Sequence, residues 1–141
     1  MTTDDRSLME CSACLCLASR RAARALTRAF DRELRPYGIR ATQFTILTTL
    51  MLRGPTAISE LAEFLGIERT TLTRNLALIE GEGWVDIQPG DDARLRIVAV
   101  TKKGRAAVTS ATPAWRKAQH AATAAIGKSG VEALHALARS V

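Results

Sequence analysis

The stretch "ISELAEFLGIERTTLTRNLALIEGEGWVDIQPGDDARLRIVAVTKKG", Ile58 to Gly104, limits what this chain can fold into more than any other part of it. Within it the apolar period switches from about 3.6 to 2. Leu61, Ala62 and Leu65 mark the inner face of a short helix, and Leu72, Leu76 and Ile79 recur at helical spacing in a second running from about Arg69 to Glu82. Gly66 supplies a tight turn between them, Ala62 is small enough for close crossing, and Ile67 with Leu72 fills the angle. "WVDIQ" then alternates, "PGDDA" is turn chemistry, and "RLRIVAV" alternates again with Leu95, Ile97 or its neighbour Val98, and Val100 apolar. A helix, a tight turn, a second helix and a charge-tipped hairpin describe a winged helix-turn-helix.

The remainder reads as helix. Apolar residues at helical spacing from Leu8 to Leu34, uninterrupted by Gly or Pro, predict one long helix that "RPYG" ends. Thr42 is a candidate N-cap for "QFTILTTLMLR", with Phe44, Leu47, Leu50 and Met51 as its stripe, and "RGPTA" stops it. After Thr101 an Ala-rich helix is expected to kink at Pro113 and to break at "IGKSG" before a last short helix. The fold class is mainly α with a small β-hairpin wing: one unit, 1–141, with a winged lobe at 40–100 between helices at 7–36 and 101–141. Those outer helices carry apolar stripes, Trp115, Ala118, Ala122, Leu134 and Leu137 among them, that one small lobe cannot cover. A second copy of the chain is the simplest cover, which predicts a homodimer.

On the second helix of the motif, Arg69, Thr70, Thr71, Thr73, Arg74 and Asn75 point away from the apolar stripe. Hydroxyls and a helix N-terminus suit phosphates, Arg can pair bidentately with guanine, and threonine methyls suit thymine. At the hairpin tip Arg94 is a long cation able to enter a minor groove, Arg96 lies close enough for phosphate, and Asp91 or Asp92 can orient an arginine. Twenty Lys+Arg against fourteen Asp+Glu leave a net charge of +6, in keeping with an anionic partner. Double-stranded DNA is the partner these residues fit. A protein-interaction module without DNA binding stands as the alternative, and it leaves the wing arginine and the threonine cluster without a role.

Other classes find little support. His120 and His135 form no motif with a nucleophile or carboxylate, and no phosphate-cradling glycine loop occurs, so no catalytic residue, metal site or cofactor is expected. No apolar run approaches the roughly 18 residues of a membrane span, and "MTTDDRSLME" lacks the features of a secretory signal. A cytoplasmic protein without a membrane partner is the expectation.

These residues resemble the multiple antibiotic resistance regulator (MarR) family of bacterial transcription factors. The likeness runs through "GIRATQFTIL", "ISELAEFLGIERTTLTRNLALIEGEGWV" and "DDARLRIVAVTKKG". It implies an obligate homodimer with interlocked terminal helices, and two winged lobes reading a pseudo-palindromic operator. It makes Arg94 the minor-groove arginine, Asp92 and Arg74 a wing-to-helix ion pair, and Thr70, Thr71 and Thr73 the major-groove face. It also implies repression relieved by a small molecule or an oxidant. Glu68 stands where the family often has Asp, and Val100 where Leu is common.

All three cysteines fall in six residues, "CSACLC", at Cys11, Cys14 and Cys16. On one continuous helix Cys16 would lie about 140° or more from the other two, which cannot converge on a metal. "LCLASRRAARALTRAF" resembles the first helix of the organic hydroperoxide resistance regulators, a branch of the same family whose reactive cysteine matches Cys16. That branch surrounds its cysteine with tyrosines, and the matching positions here are Arg20, Phe30 and Ala41. Cys16 as redox sensor, with Cys11 and Cys14 beside it, and cysteines as interface packing are the two readings the residues leave open.

Overall fold

The computed structural model describes residues 2–140, the side chain of Thr3 excepted. The first and last residues of the expected 1–141 unit lie outside that range. The order is α1 (Thr3–Cys11), α2 (Leu15–Leu34), a 3-10 turn (Arg35–Tyr37), α3 (Ala41–Arg53), β1 (Thr56–Ala57), α4 (Ile58–Leu65), α5 (Arg69–Gly81), β2 (Val85–Pro89), β3 (Arg96–Val100) and α6 (Lys102–Ser140). Three antiparallel strands lie in the order β1-β3-β2, with Val98 opposite Ile87 on one side and Thr56 on the other. The mainly helical class and the hairpin wing are as expected, and β1 is an addition to them.

The core sits where the short helices meet the sheet. Leu34, Leu47, Leu50, Leu61, Leu72, Leu76, Ile79 and Val98 are all sealed from solvent. A fully buried Leu or Ile contributes about 1.5–3 kcal/mol, so these side chains fix the angle between α4, α5 and the wing. Gly66, at φ 66°, ends α4 in the left-handed conformation that L side chains avoid, and the Ile67 N–H returns to the Ala62 carbonyl at 3.1 Å. Outside this lobe α2 runs along α6, joined by a Lys117–Glu33 ion pair at 3.2 Å. Phe44 of α3 stacks on Trp115 of α6, ring centroids 6.1 Å apart.

Three expectations are corrected. The helix from Leu8 to Leu34 is two helices, because the Ser12 hydroxyl donates to the Met9 carbonyl at 2.6 Å and closes α1 before Ala13 and Cys14. The N-cap of α3 is not Thr42: the helix begins at Ala41, whose N–H donates to Asp31 Oδ1 at 2.7 Å, while the Arg40 N–H donates to Gln43 Oε1. A carboxylate ten residues back in the sequence therefore does the capping. Pro113 lies inside α6 with helical backbone, and the break comes at Gly127, φ 72° and ψ 171°, within the expected "IGKSG".

Candidate nucleic-acid interface

Leu72, Leu76 and Ile79 anchor α5 on the core, which turns Arg69, Thr70, Thr71, Thr73 and Arg74 to solvent. They do not share one surface. A shallow open groove is lined by Arg69, Thr70, Thr73, Arg74 and Ala77. Thr71 and Asn75 lie on the flank, where the half-buried Asn75 amide donates to the Thr71 carbonyl at 3.0 Å. The Thr73 hydroxyl donates to the Arg69 carbonyl at 2.8 Å, which leaves its oxygen lone pairs to accept from outside. Glu68, the N-cap, makes no side-chain bond to the helix, so the first-turn N–H groups of α5 face out. A row of cations and hydroxyls at the positive end of a helix is a surface that anions seek.

The wing is built around Asp92. Its Oδ1 accepts from the Arg94 N–H at 3.0 Å and from Arg94 Nε at 3.3 Å, and its Oδ2 accepts from Arg94 Nη2 at 3.0 Å. The Leu95 N–H closes the same turn on the Asp92 carbonyl at 2.8 Å. The Arg94 fork, donating first through its side chain and then through its backbone, holds the Asp92 carboxyl below its ordinary range. The Arg94 side chain is nonetheless 90% exposed, a cation oriented at its root and open at its tip. This corrects the expected Asp92–Arg74 pair. Asp92 is taken by Arg94 within its own turn, and among the described residues Arg74 enters no ion pair. Arg96 starts β3, exposed opposite Pro89.

At the root of the wing is a lock that the sequence reading did not single out. The Thr101 hydroxyl donates to the Gly83 carbonyl at 2.6 Å and accepts from the Gly104 N–H at 3.0 Å, while the Thr101 N–H donates to the Trp84 carbonyl at 3.0 Å. This ties the end of α5, both strands and the start of α6 together. The "TKKG" spacing is its only trace in the sequence.

Comparison with known proteins assigns the architecture. A family model described as the MarR family matches residues 39–95, the segment from the start of α3 to the wing tip. The transcriptional regulator MosR of M. tuberculosis, solved in complex with DNA, is 42% identical over 90% of this chain and 97% of its own, with a TM-score of 0.78. This chain belongs to the MarR family. Among other relatives, the uncharacterized HTH-type transcriptional regulator YwoH of Bacillus subtilis is 32% identical over 82 residues, or 58% of this chain. The HTH-type transcriptional regulator PecS of Dickeya dadantii is 34% identical over 92 residues, or 62% of this chain. The matched stretches span 60% and 55% of those two proteins. The family and these relatives are transcriptional regulators, and this MarR-family chain shares their winged helix-turn-helix.

The cysteines sit apart from this surface. Cys11 ends α1, Cys14 is the N-cap of α2 and Cys16 lies in its first turn, all three exposed. Because the helix breaks between them, the angular argument against a shared metal no longer applies; among the described residues no group of His, Cys, Asp and Glu is arranged to hold one. No helix of the described residues is long and apolar enough to cross a membrane.

Proposed function

We propose that this chain is a homodimeric, sequence-specific DNA-binding repressor of the cytoplasm, acting by occupancy of a pseudo-palindromic operator rather than by catalysis. The observation that carries this is the joint presentation of the α5 groove, with Arg69, Thr70, Thr73 and Arg74, and a wing tip whose Arg94 is held by Asp92 yet open to solvent. Recognition helix and wing then take adjacent major and minor grooves, with Arg96 on phosphate and Thr71 and Asn75 at the margin. That MosR was solved with DNA supports the same partner here.

Two copies are needed because α2 and α6 leave an apolar groove of about 480 Å³, lined by residues such as Ala22, Leu26, Ala122, Ile126 and Leu134. A second copy covers it. Symmetry then sets the two α5 helices about one DNA turn, roughly 34 Å, apart. Any signal that favours another spacing by a few kcal/mol empties the operator.

Thiol oxidation is the signal we favour. Cys16 is exposed in the first turn of α2, with Arg20 one turn on. A hydroperoxide would convert its thiol to sulfenic acid by a two-electron oxidation, leaving as the alcohol. A small-molecule effector is the second reading, and a pocket of about 220 Å³ between Phe30, Phe44, Trp115 and Leu26 favours it.

The test is a gel-shift titration against the DNA upstream of the chain's own gene, reduced and peroxide-treated, in wild type and Cys16→Ser. The expected result is reduced-state binding that peroxide abolishes only in wild type. Equal loss in both proteins removes Cys16 from the mechanism, and no binding in any state refutes the DNA-binding reading.

A further inference from the structure

Among the described residues, helix α1 packs against no other element to any extent. Its described side chains are exposed along its length, Leu8 and Met9 each by 63%. The turn after it, Ser12 to Cys14, is of the length that joins two antiparallel helices in a hairpin, yet α1 does not fold back on α2. At about 100° per residue, Asp4, Leu8, Asp5 and Met9 fall within about 140° of arc, an acidic and apolar face. Arg6 and Glu10 lie on the other side. The Thr2 backbone and hydroxyl hold Asp5 below its ordinary carboxyl range, so this face is charged at neutral pH.

Helix α2 carries the complement. Arg20, Arg24, Arg28 and Arg21 fall within about 100° of arc, with Leu17 in their midst. All five are exposed, and among the described residues none of the four arginines enters an ion pair. The nearby acids of α2 are engaged elsewhere: Glu33 with Lys117, and Asp31 at the start of α3. Four unopposed cations on one helix face repel one another until an anion meets them.

We propose that the arginine row on α2 is the docking site for the acidic α1 helix of a second copy, so that each protomer lays an arm across its partner. Asp4 and Asp5 meet the guanidiniums, and Leu8 and Met9 cover Leu17 and the aliphatic stems of the arginines. The row adjoins the α2–α6 groove through Ala22 and Ala25, which line both surfaces, so the arm extends the dimer interface already proposed. This inference rests on that dimer. It adds a polar, salt-sensitive clamp to an otherwise apolar contact, and it makes the cysteine turn the hinge of the arm.

A charge swap across the two chains tests it. One variant carries Asp4→Lys and Asp5→Lys; the other carries Arg20→Glu, Arg24→Glu and Arg28→Glu. Amide hydrogen exchange of residues 4–11 is followed in each homodimer and in the mixed dimer, prepared by co-expression with different tags, while sedimentation reports mass. In wild type these amides are expected to exchange at least about tenfold more slowly than in the free peptide, and either homodimer to lose that protection. The mixed dimer regains it, because each arm meets an opposite charge only on its partner. Folding back within one chain predicts the reverse, since each mixed protomer then opposes like charges. A dimer without restored protection overturns the docking alone, and a monomeric mass removes the dimer reading and the docking with it.

Discussion

Gly104 joins the reading lobe to the long helix because nothing larger than hydrogen fits there. A Cβ at this position would collide with the Trp84 carbonyl oxygen and stand 2.9 Å from Val100 Cγ1. The same carbonyl accepts from the Thr101 N–H, so it cannot yield without opening the root of the wing. Gly104→Ala is therefore expected to destabilise the fold by about 1–3 kcal/mol, the range for overpacking, read as a lower urea midpoint with an unchanged slope. An unchanged midpoint would show that the backbone gives way more easily than this packing implies. Asp92 offers a second check. Its folded carboxyl is depressed by Arg94, so the contact is present at neutrality and is lost as pH falls through the depressed value. Following the Arg94 Nε–H resonance against pH should show a constant environment from pH 8 to pH 5 and release only in stronger acid. A change centred near neutrality would point to another titrating partner.

At the scale of elements, what the sequence made legible were the parts held by burial. The α4–Gly66–α5 corner and the wing were readable because Leu61, Leu72, Leu76 and Val98 must all reach one core, which leaves little freedom in period or register. The break between α1 and α2 was not, because helical periodicity says nothing about a stretch that buries no side chain, and a single Ser12 hydroxyl decides it. Strand β1 is two residues long and exists only through its pairing with Ile97 and Val98. The Asp92–Arg94 pair within one turn displaced a longer-range pairing that only the family likeness had suggested. The cap of α3 by Asp31 spans ten residues and crosses from α2 into the lobe, so no local motif announces it. Asp31→Ala should cost about 1 kcal/mol, as for other lost caps, and Asp31→Asn, which keeps an acceptor, clearly less. Thermal melts of the two variants separate these outcomes, and equal losses would assign the effect to charge rather than to the cap.

In the dimer proposed above, function is a matter of geometry: two lobes are presented at a fixed spacing by a shared helical core. Phe44 on Trp115, Asp31 at Ala41 and the Thr101 lock join α2 and α6 to the winged lobe, so a shift of either helix would have to pass through them to move the proposed recognition surface. Most binding affinity should come from phosphate neutralisation and fall steeply with salt, while Arg94 and the α5 groove supply discrimination. The most direct measurement is hydroxyl-radical footprinting of the reduced protein on its own upstream DNA, in wild type and Arg94→Ala. The prediction is two protected half-sites in an inverted repeat, centred about 34 Å apart, with Arg94→Ala weakening binding by about 1–3 kcal/mol without dissociating the dimer. A single protected site, uniform protection without sequence preference, or a Kd indifferent to Arg94 would contradict it.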